Sequence, residues 1–299
     1  MNQETKGALL TLAGGICWGL SGSMGQYLFQ HEGMDSRWLV PIRLGLAGII
    51  LLTFSFARSG RKVLAPWQRR EDRIDLLIYG IAGVSCCQFL YFLTIQLSTA
   101  GVATILQDLS PVMILVTTCI MQRRRASGRE ILSIALALAG VFLITTHGKP
   151  GQIAVPPLAL LTGVLCAGCV TVYNIQPRRL LSSYPVAVLQ GWAFLLGSAL
   201  FTLLFHPWTF RYVPDAMGWF GIAFVVLVGN VFAFTAYMTG VSLIGPGKAI
   251  LYGFSEPVTA AVVTVVLMNS PFSIYDALGF AAVFCMLAVI SGQKAGSSN

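Results

Sequence analysis

Long apolar runs separated by short polar segments dominate the chain. Most runs are close to the length of about 20 residues that a helix needs to cross a bilayer. None shows the strict alternation of apolar and polar residues that a membrane β-barrel requires. Backbone groups within hydrocarbon must be hydrogen-bonded inside their own segment, which favours helices. The pattern therefore predicts an all-α membrane protein with ten transmembrane helices, at 7–29, 36–56, 74–96, 100–120, 128–146, 155–173, 184–205, 217–240, 246–268 and 273–291.

The composition supports the same class of protein. Charged residues make up 10% of the 299 residues and the mean hydropathy is +0.77, whereas a soluble domain carries roughly 25% charge. The lipid bilayer is therefore an expected partner. The net charge of +8 does not indicate nucleic-acid binding, because the basic residues lie in short loops and form no single solvated face.

The distribution of basic residues predicts the orientation in the membrane. If the N-terminus is cytoplasmic, 15 of the 19 Lys and Arg residues lie on the cytoplasmic side and three lie outside. An excess of basic residues marks cytoplasmic loops. We therefore predict a multi-pass protein of the inner (plasma) membrane whose N- and C-termini are both cytoplasmic.

The two halves of the chain resemble each other. Shifted by 146 residues, positions 91–144 match 237–290 without a gap, with 12 identities in 54 positions, among them Pro111/Pro257 and Thr118/Thr264. Each half holds five spans, so the second half enters the membrane from the opposite side. Inverted repeats of this kind are typical of carriers that work by alternating access. The predicted organisation is a first five-helix repeat at 7–146, a loop at 147–154, a second repeat at 155–291 and a cytoplasmic tail at 292–299.

Several short motifs in this layout resemble a known family. They are Trp18-Gly19, Arg43, Pro111-Val112, Gly140-Val141 and Glu256-Pro257. In this order the chain resembles the EamA family of the drug/metabolite transporter superfamily, and within it the carboxylate, amino acid and amine transporters. The resemblance covers 7–291 and implies export or exchange of small metabolites. The chain departs from it at two loops, where Arg123-Arg124-Arg125 and Asn269-Ser270 stand in place of a glutamate that many members carry.

Three ionisable residues lie within predicted spans: Arg43, Asp108 and Glu256. Charged groups in hydrocarbon cost about 2.5–3.5 kcal/mol on insertion scales, so they are expected to line a wet cavity or to have partners. One interpretation is substrate binding, with Arg43 holding a carboxylate and Asp108 or Glu256 meeting an amine or carrying a coupling proton. The other is a buried ion pair or hydrogen-bond network without a substrate role.

Prolines and aromatic residues extend the candidate site. Pro111 and Pro257 remove a helix hydrogen bond, and we predict helix breaks beside the two carboxyls. Trp18, Tyr91 and Tyr252 are predicted to line the cavity and stack on substrate, although aromatic residues in helices are often packing residues. Tyr237 belongs to the same group of candidates.

The glycines of span one have two interpretations. Gly15 and Gly19 form a small-residue face that permits close helix contact or marks a dimer interface. The oligomeric state is therefore expected to be a monomer or a weak homodimer.

The chemistry that the sequence lacks narrows the function. No phosphate-binding G-x-x-x-x-G-K-[ST] motif occurs, so transport is expected to be passive or coupled to protons or a counter-substrate. The three histidines have no metal-ligand spacing. Cys166 and Cys169 form a C-x-x-C in the middle of an apolar span, where we expect packing residues rather than a metal or redox site. We predict no metal, no cofactor and no catalytic residue. The leading hypothesis is a secondary transporter of amino acids, amines or carboxylates. The alternatives are a multidrug exporter and, from another class, an intramembrane lipid-modifying enzyme.

Overall fold

The computed structural model describes residues 2–147, 155–267 and 273–296. Within these ranges every regular element is helical. Eight helices are long and apolar enough to cross a membrane, and two shorter apolar helices, Ser255–Val266 and Ile274–Val289, fall at predicted spans nine and ten. The predicted fold class is confirmed. The helices are α1 Gln3–Gln30, α2 Ser36–Ser59, α3 Arg70–Leu77, α4 Cys86–Leu97, α5 Ala100–Gln107, α6 Ser110–Met121, α7 Gly128–Thr146, α8 Pro157–Ile175, α9 Arg178–Ser183, α10 Val186–Phe205, α11 Ala216–Phe224, α12 Ala233–Gly253, α13 Ser255–Val266 and α14 Ile274–Gly296.

Ten spans follow from these helices. Span one is α1, and span two is α2, which continues as a 3₁₀ helix over Gly60–Trp67. Spans three and eight each contain a π-helical segment, Ile78–Ser85 between α3 and α4 and Val225–Phe232 between α11 and α12. Span four is α5 with α6, and spans five, six and seven are α7, α8 and α10. Gly245, with φ 78° and ψ 158°, interrupts α12 and separates span eight from span nine. Span nine continues through α13, and span ten is α14.

Local irregularities recur at equivalent positions of the two repeats. Both fifth spans begin with a reciprocal cap, in which Ser127 pairs with Glu130 and Ser273 pairs with Asp276. In spans one and six, Ala8-Leu9-Leu10-Thr11 recurs as Ala159-Leu160-Leu161-Thr162. The hydroxyls of Thr11 and Thr162 both donate to backbone carbonyls three and four residues earlier. The resemblance between the halves thus extends from residue identities to hydrogen bonding.

The small-residue face of span one is used inside the chain. A Cβ atom added at Gly19 would lie 2.6 Å from the carbonyl oxygen of Glu256 and 3.0 Å from the backbone nitrogen of Ala260. A Cβ added at Gly14 would lie 2.8 Å from Tyr237. The glycines therefore allow span one to approach spans eight and nine closely. Close packing within the chain, rather than a dimer interface, accounts for this face.

An ion network joins the two repeats at one end of the bundle. Arg179, in the connection between spans six and seven, pairs with Glu71, Asp72 and Asp75 at the start of span three. Tyr184 donates a hydrogen bond to Asp72 at 2.7 Å. One arginine thus partly neutralises the negative charge of three carboxylates, at the end of the molecule that the sequence predicts to be cytoplasmic.

Candidate substrate cavity

A cavity of about 920 Å³ lies in the centre of the bundle and is lined by both repeats. Its wall combines apolar and aromatic side chains with a few polar groups, as is usual for small-molecule sites. The polar and charged lining residues are Ser21, Arg43, Tyr79, Gln88, Tyr91, Gln107, Asp108, Ser110, Thr118, Arg124, Ser127, Glu130, Tyr173, Asn174, Gln190, Asn230, Tyr237 and Glu256.

Broken helices place two carboxyls at this cavity. In span four, α5 ends at Gln107 and α6 begins at Ser110, so Asp108 lies in the break just before Pro111. In span nine, α12 ends at Gly253 and α13 begins at Ser255, so Glu256 lies in the first turn of α13 beside Pro257. A proline is easily accommodated in the first turn of a helix because the first N–H groups have no intrahelical acceptor.

Arg43 is a buried cation with incomplete hydrogen bonding. Its residue is 2% exposed, one Nη donates to the amide oxygen of Gln88, and the guanidinium carbon lies 3.7 Å from the ring centre of Phe92. Nε and the other Nη are buried and have no hydrogen-bond partner among the described residues. In the same part of the chain, no carboxylate lies within ion-pair distance of Arg43. The interpretation of Arg43 as one half of a buried ion pair does not fit this arrangement.

The two central carboxyls are also without a cationic partner among the described residues. Oδ2 of Asp108 is buried and accepts no hydrogen bond from that part of the chain. Glu256 lines the same cavity and is close enough to Asp108 for the two carboxyls to interact electrostatically. Leaving such groups unpaired in a low-dielectric interior is costly, and a ligand or a proton would relieve that cost.

The predicted aromatic residues are divided between the cavity and the exterior. Trp18 lines the cavity and its ring centre lies 5.0 Å from that of Tyr237, which also lines it. Tyr91 lines the cavity with its hydroxyl 2.9 Å from that of Thr104. Tyr252 is 38% exposed and does not contribute to the lining. The prediction for Tyr252 was wrong because the helical register turns its side chain to the outer surface of span nine.

Several lining residues gave no signal in the sequence. Asn230 is 2% exposed, and its buried Nδ2 has no hydrogen-bond partner within the described ranges. Gln88 contacts Arg43. Neutral amides occur in many membrane helices, so composition does not distinguish these two from packing residues. Cys87 of span three also lines the cavity. Its sulfur lies 3.6 Å from the sulfur of Cys166 in span six, so these two thiols contact each other across the two repeats.

The cavity reaches one end of the bundle. Its lining extends through Thr118 and Asn174 to Arg124, Ser127 and Glu130, in the connection between spans four and five. No described residue of the connections at the opposite end, at 31–35, 98–99 and 206–215, belongs to the lining. At that opposite end, α5 of span four packs against α13 of span nine. The open end is the one that the basic residues predict to be cytoplasmic.

An all-helical inverted-repeat fold around a central polar cavity is typical of membrane transporters. The model of the EamA-like transporter family matches residues 5–146 and again 157–292, and the chain belongs to this family. The chain is 31% identical to the uncharacterized inner membrane transporter YicL of Salmonella typhimurium, over 97% of both chains. It is 24% identical to the uncharacterized transporter YyaM of Bacillus subtilis, over 84% of this chain and 82% of that one. A crystal structure of a protein matches the fold with a TM-score of 0.66 and 17% identity, over 99% of both chains.

Proposed function

We propose that the protein is a secondary carrier that exports or exchanges small carboxylate-bearing metabolites, amino acids above all, across the inner membrane by alternating access. The observation that carries the proposal is Arg43. Two nitrogens of this buried guanidinium have no partner in the part of the chain that the structure describes, and the guanidinium lines a cavity. It is a suitable site for a carboxylate, because arginine binds carboxylates in a bidentate geometry.

The carboxyls complete a site for a dipolar molecule. Asp108 and Glu256 line the same cavity as Arg43, so a substrate carboxylate and a substrate ammonium both find an oppositely charged group. A simple carboxylate would use Arg43 alone and leave both acids unpaired. The arrangement therefore favours amino acids over simple carboxylates, and it favours amines least because they leave Arg43 unpaired.

The acids also support proton coupling. No cation lies beside Asp108 and Glu256 among the described residues, so the two carboxylates repel each other when both are ionised. One proton shared by the pair removes that repulsion. A bound ammonium group would have the same effect, so proton and substrate compete for the pair. Such competition produces antiport of a proton against an amino acid.

The test is counterflow in proteoliposomes. Vesicles are loaded with single unlabelled amino acids, amines or carboxylates, and uptake of the labelled compound is measured. We expect counterflow with one or more amino acids. Arg43→Gln should reduce it about tenfold or more, since a hydrogen bond to a charged group contributes about 1.5–3 kcal/mol. The matched control is Arg37→Gln, because Arg37 is 54% exposed and pairs with Asp35 at the surface.

Two outcomes would reject the proposal. One is unchanged counterflow in Arg43→Gln, and the other is counterflow only with compounds that lack a carboxylate.

A second candidate function is multidrug export, and the aromatic lining favours it. Trp18, Phe234 and Phe254 present apolar surface to the cavity. A lipophilic cation would stack on these rings and would also be attracted to the carboxylates of Asp108 and Glu256. Efflux of a lipophilic cation that is insensitive to Arg43→Gln but lost in Glu256→Gln would favour this function over amino acid transport.

A further inference from the structure

We propose that Thr264 and Thr118 are reciprocal gate residues, each closing one end of the cavity by donating a hydrogen bond across the two repeats. The inference rests on the proposed alternating-access function. The two threonines occupy equivalent positions of the two repeats, 146 residues apart, yet they make different hydrogen bonds.

At the closed end, Thr264 donates across the bundle. Its hydroxyl donates to Oε1 of Gln26, at 3.4 Å, and the same oxygen accepts the backbone N–H of Ala100 at 2.7 Å. Gln26 is fully buried in span one, while Ala100 begins span four and Thr264 belongs to span nine. One amide oxygen thus joins three spans from both repeats.

The backbone partner of Gln26 has no alternative within its own helix. Ala100 is the first residue of α5, and the first four N–H groups of a helix lack intrahelical acceptors. Thr99 caps the N–H of Val102. Gln26 supplies the acceptor for Ala100 from another span, so opening this end leaves a helix N–H to be solvated. The closed end is therefore held by specific polar contacts in addition to apolar packing.

At the open end, Thr118 stays within its own helix. Its hydroxyl donates to the carbonyl of Ile114, four residues earlier, at 2.7 Å, and its side chain lines the cavity. Two equivalent threonines, one bonded across the bundle at the closed end and the other bonded locally at the open end, are what exchange of conformations between inverted repeats predicts.

An acceptor for Thr118 is available near the end of span six. Oε1 of Gln176 is buried without a hydrogen-bond partner among the described residues, while its Nε2 donates to Asp75 at 3.0 Å. Gln176 lines a crevice between spans four and six together with Thr117, which precedes Thr118 in the chain. In the oppositely facing state, Thr118 donates to Gln176, and Thr264 returns to a carbonyl of its own helix.

The experiment measures which end is open, without any substrate. Full-length protein with its native cysteines replaced is placed in lipid nanodiscs, where a soluble maleimide reaches both ends. One reporter is Asn174→Cys at the open end. The other is Ala103→Cys, because Ala103 is 1% exposed and lies one helical turn beyond the cavity-lining Gln107, toward the closed end. Labelling rates are then compared between gate variants.

We expect Thr264→Val to speed labelling of Ala103→Cys and to slow labelling of Asn174→Cys. Thr118→Val should shift both rates in the opposite direction. Each shift should be about two- to tenfold, the effect of one hydrogen bond between neutral groups. Thr264→Ser keeps the hydroxyl and should behave as the parent. The matched control is Thr145→Val, because within the described ranges the hydroxyl of Thr145 donates to carbonyls of its own helix and to no other helix.

Two outcomes would overturn the gate assignment in protein that remains monodisperse. One is that Thr264→Val leaves both rates unchanged, and the other is that Thr118→Val shifts them in the same direction as Thr264→Val. These readouts need no transport. A failed counterflow screen together with reciprocal labelling shifts would reject the proposed substrate class and support the gate assignment. Amino acid counterflow without labelling shifts would support the substrate class and reject the gate assignment.

Discussion

The guanidinium carbon of Arg43 lies 3.7 Å from the centre of the Phe92 ring. The ring face offers partial negative charge to a cation that has one hydrogen bond to Gln88 and no nearby carboxylate among the described residues. Phe92 itself is 2% exposed. The ring therefore fixes the position of the arginine while leaving two of its nitrogens for a ligand.

Replacing that ring should weaken substrate binding. A cation over an aromatic ring is stabilised by about 0.5–2 kcal/mol, so Phe92→Leu is expected to raise the KM for counterflow by about two- to thirtyfold. The control is Phe89→Leu on the same helix, because Phe89 packs against Phe201 and Phe205, and no cation–ring contact to Phe89 occurs among the described residues. Equal KM values in the two variants would show that Phe92 acts only through packing.

The central carboxyls should make transport sensitive to a pH gradient. An imposed gradient is expected to change the initial rate of wild-type counterflow or net uptake, and Glu256→Gln or Asp108→Asn should abolish the response. The control is Glu71→Gln, because Glu71 is a surface carboxylate whose side chain is 79% exposed. A wild-type rate that ignores both the gradient and a protonophore would exclude proton coupling.

The close approach of span one to span nine should make Gly19 sensitive to a single methyl group. In Gly19→Ala the new Cβ meets the backbone of span nine, which cannot move as a flexible side chain can. Overpacking of this kind costs about 1–3 kcal/mol, and a lower melting temperature and folded yield are expected. Gly168→Ala is the matched control, because a Cβ at Gly168 has no neighbour within 4 Å. Equal thermal stability of the two variants would contradict the packing described for span one.

Removing Arg179 should make the stability of the protein depend on salt concentration, because the arginine balances three carboxylates. The hydrogen bond to Glu71, followed by the interactions with Asp75 and Asp72, raises the pKa of Arg179 above its ordinary value, so the arginine stays charged at all physiological pH values. In Arg179→Gln the three carboxylates repel one another when ionised. The variant is expected to melt below wild type at low ionic strength and to approach it at about 1 M salt, where screening weakens the repulsion. A difference in melting temperature that does not change with salt would contradict this account.

The orientation can be tested with two exposed positions. We expect an impermeant thiol reagent to label Val213→Cys and to spare Ser59→Cys in intact cells, because the basic residues predict that the connection containing Ser59 is cytoplasmic. Val213 is 85% exposed in the connection between spans seven and eight. The reverse labelling pattern would place the open end of the cavity outside the cell.

The sequence by itself determined the membrane class, the ten spans, the inverted repeat and the family. These properties depend on local sequence, because the length of an apolar segment decides whether it crosses a bilayer. An odd number of spans in each repeat then inverts the second repeat. It also singled out Arg43, Asp108 and Glu256, because a charge inside a span is costly wherever the helix packs. The loop predicted at 147–154 lies outside the described residues, apart from His147.

Only the tertiary structure decided which of these residues meet and which end of the cavity is open. The rotation of each helix about its axis depends on packing between spans. That rotation places Tyr252 outside the cavity and Tyr237 against Trp18. Neutral residues such as Gln26 and Gln88 carry no charge penalty that marks them in a sequence, and their hydrogen bonds across the bundle are to residues more than 30 positions away. Thr118 and Thr264 occupy equivalent sequence positions but make different hydrogen bonds. The sequence does not predict this difference, because it arises when the two inverted repeats adopt different conformations in one state of the carrier.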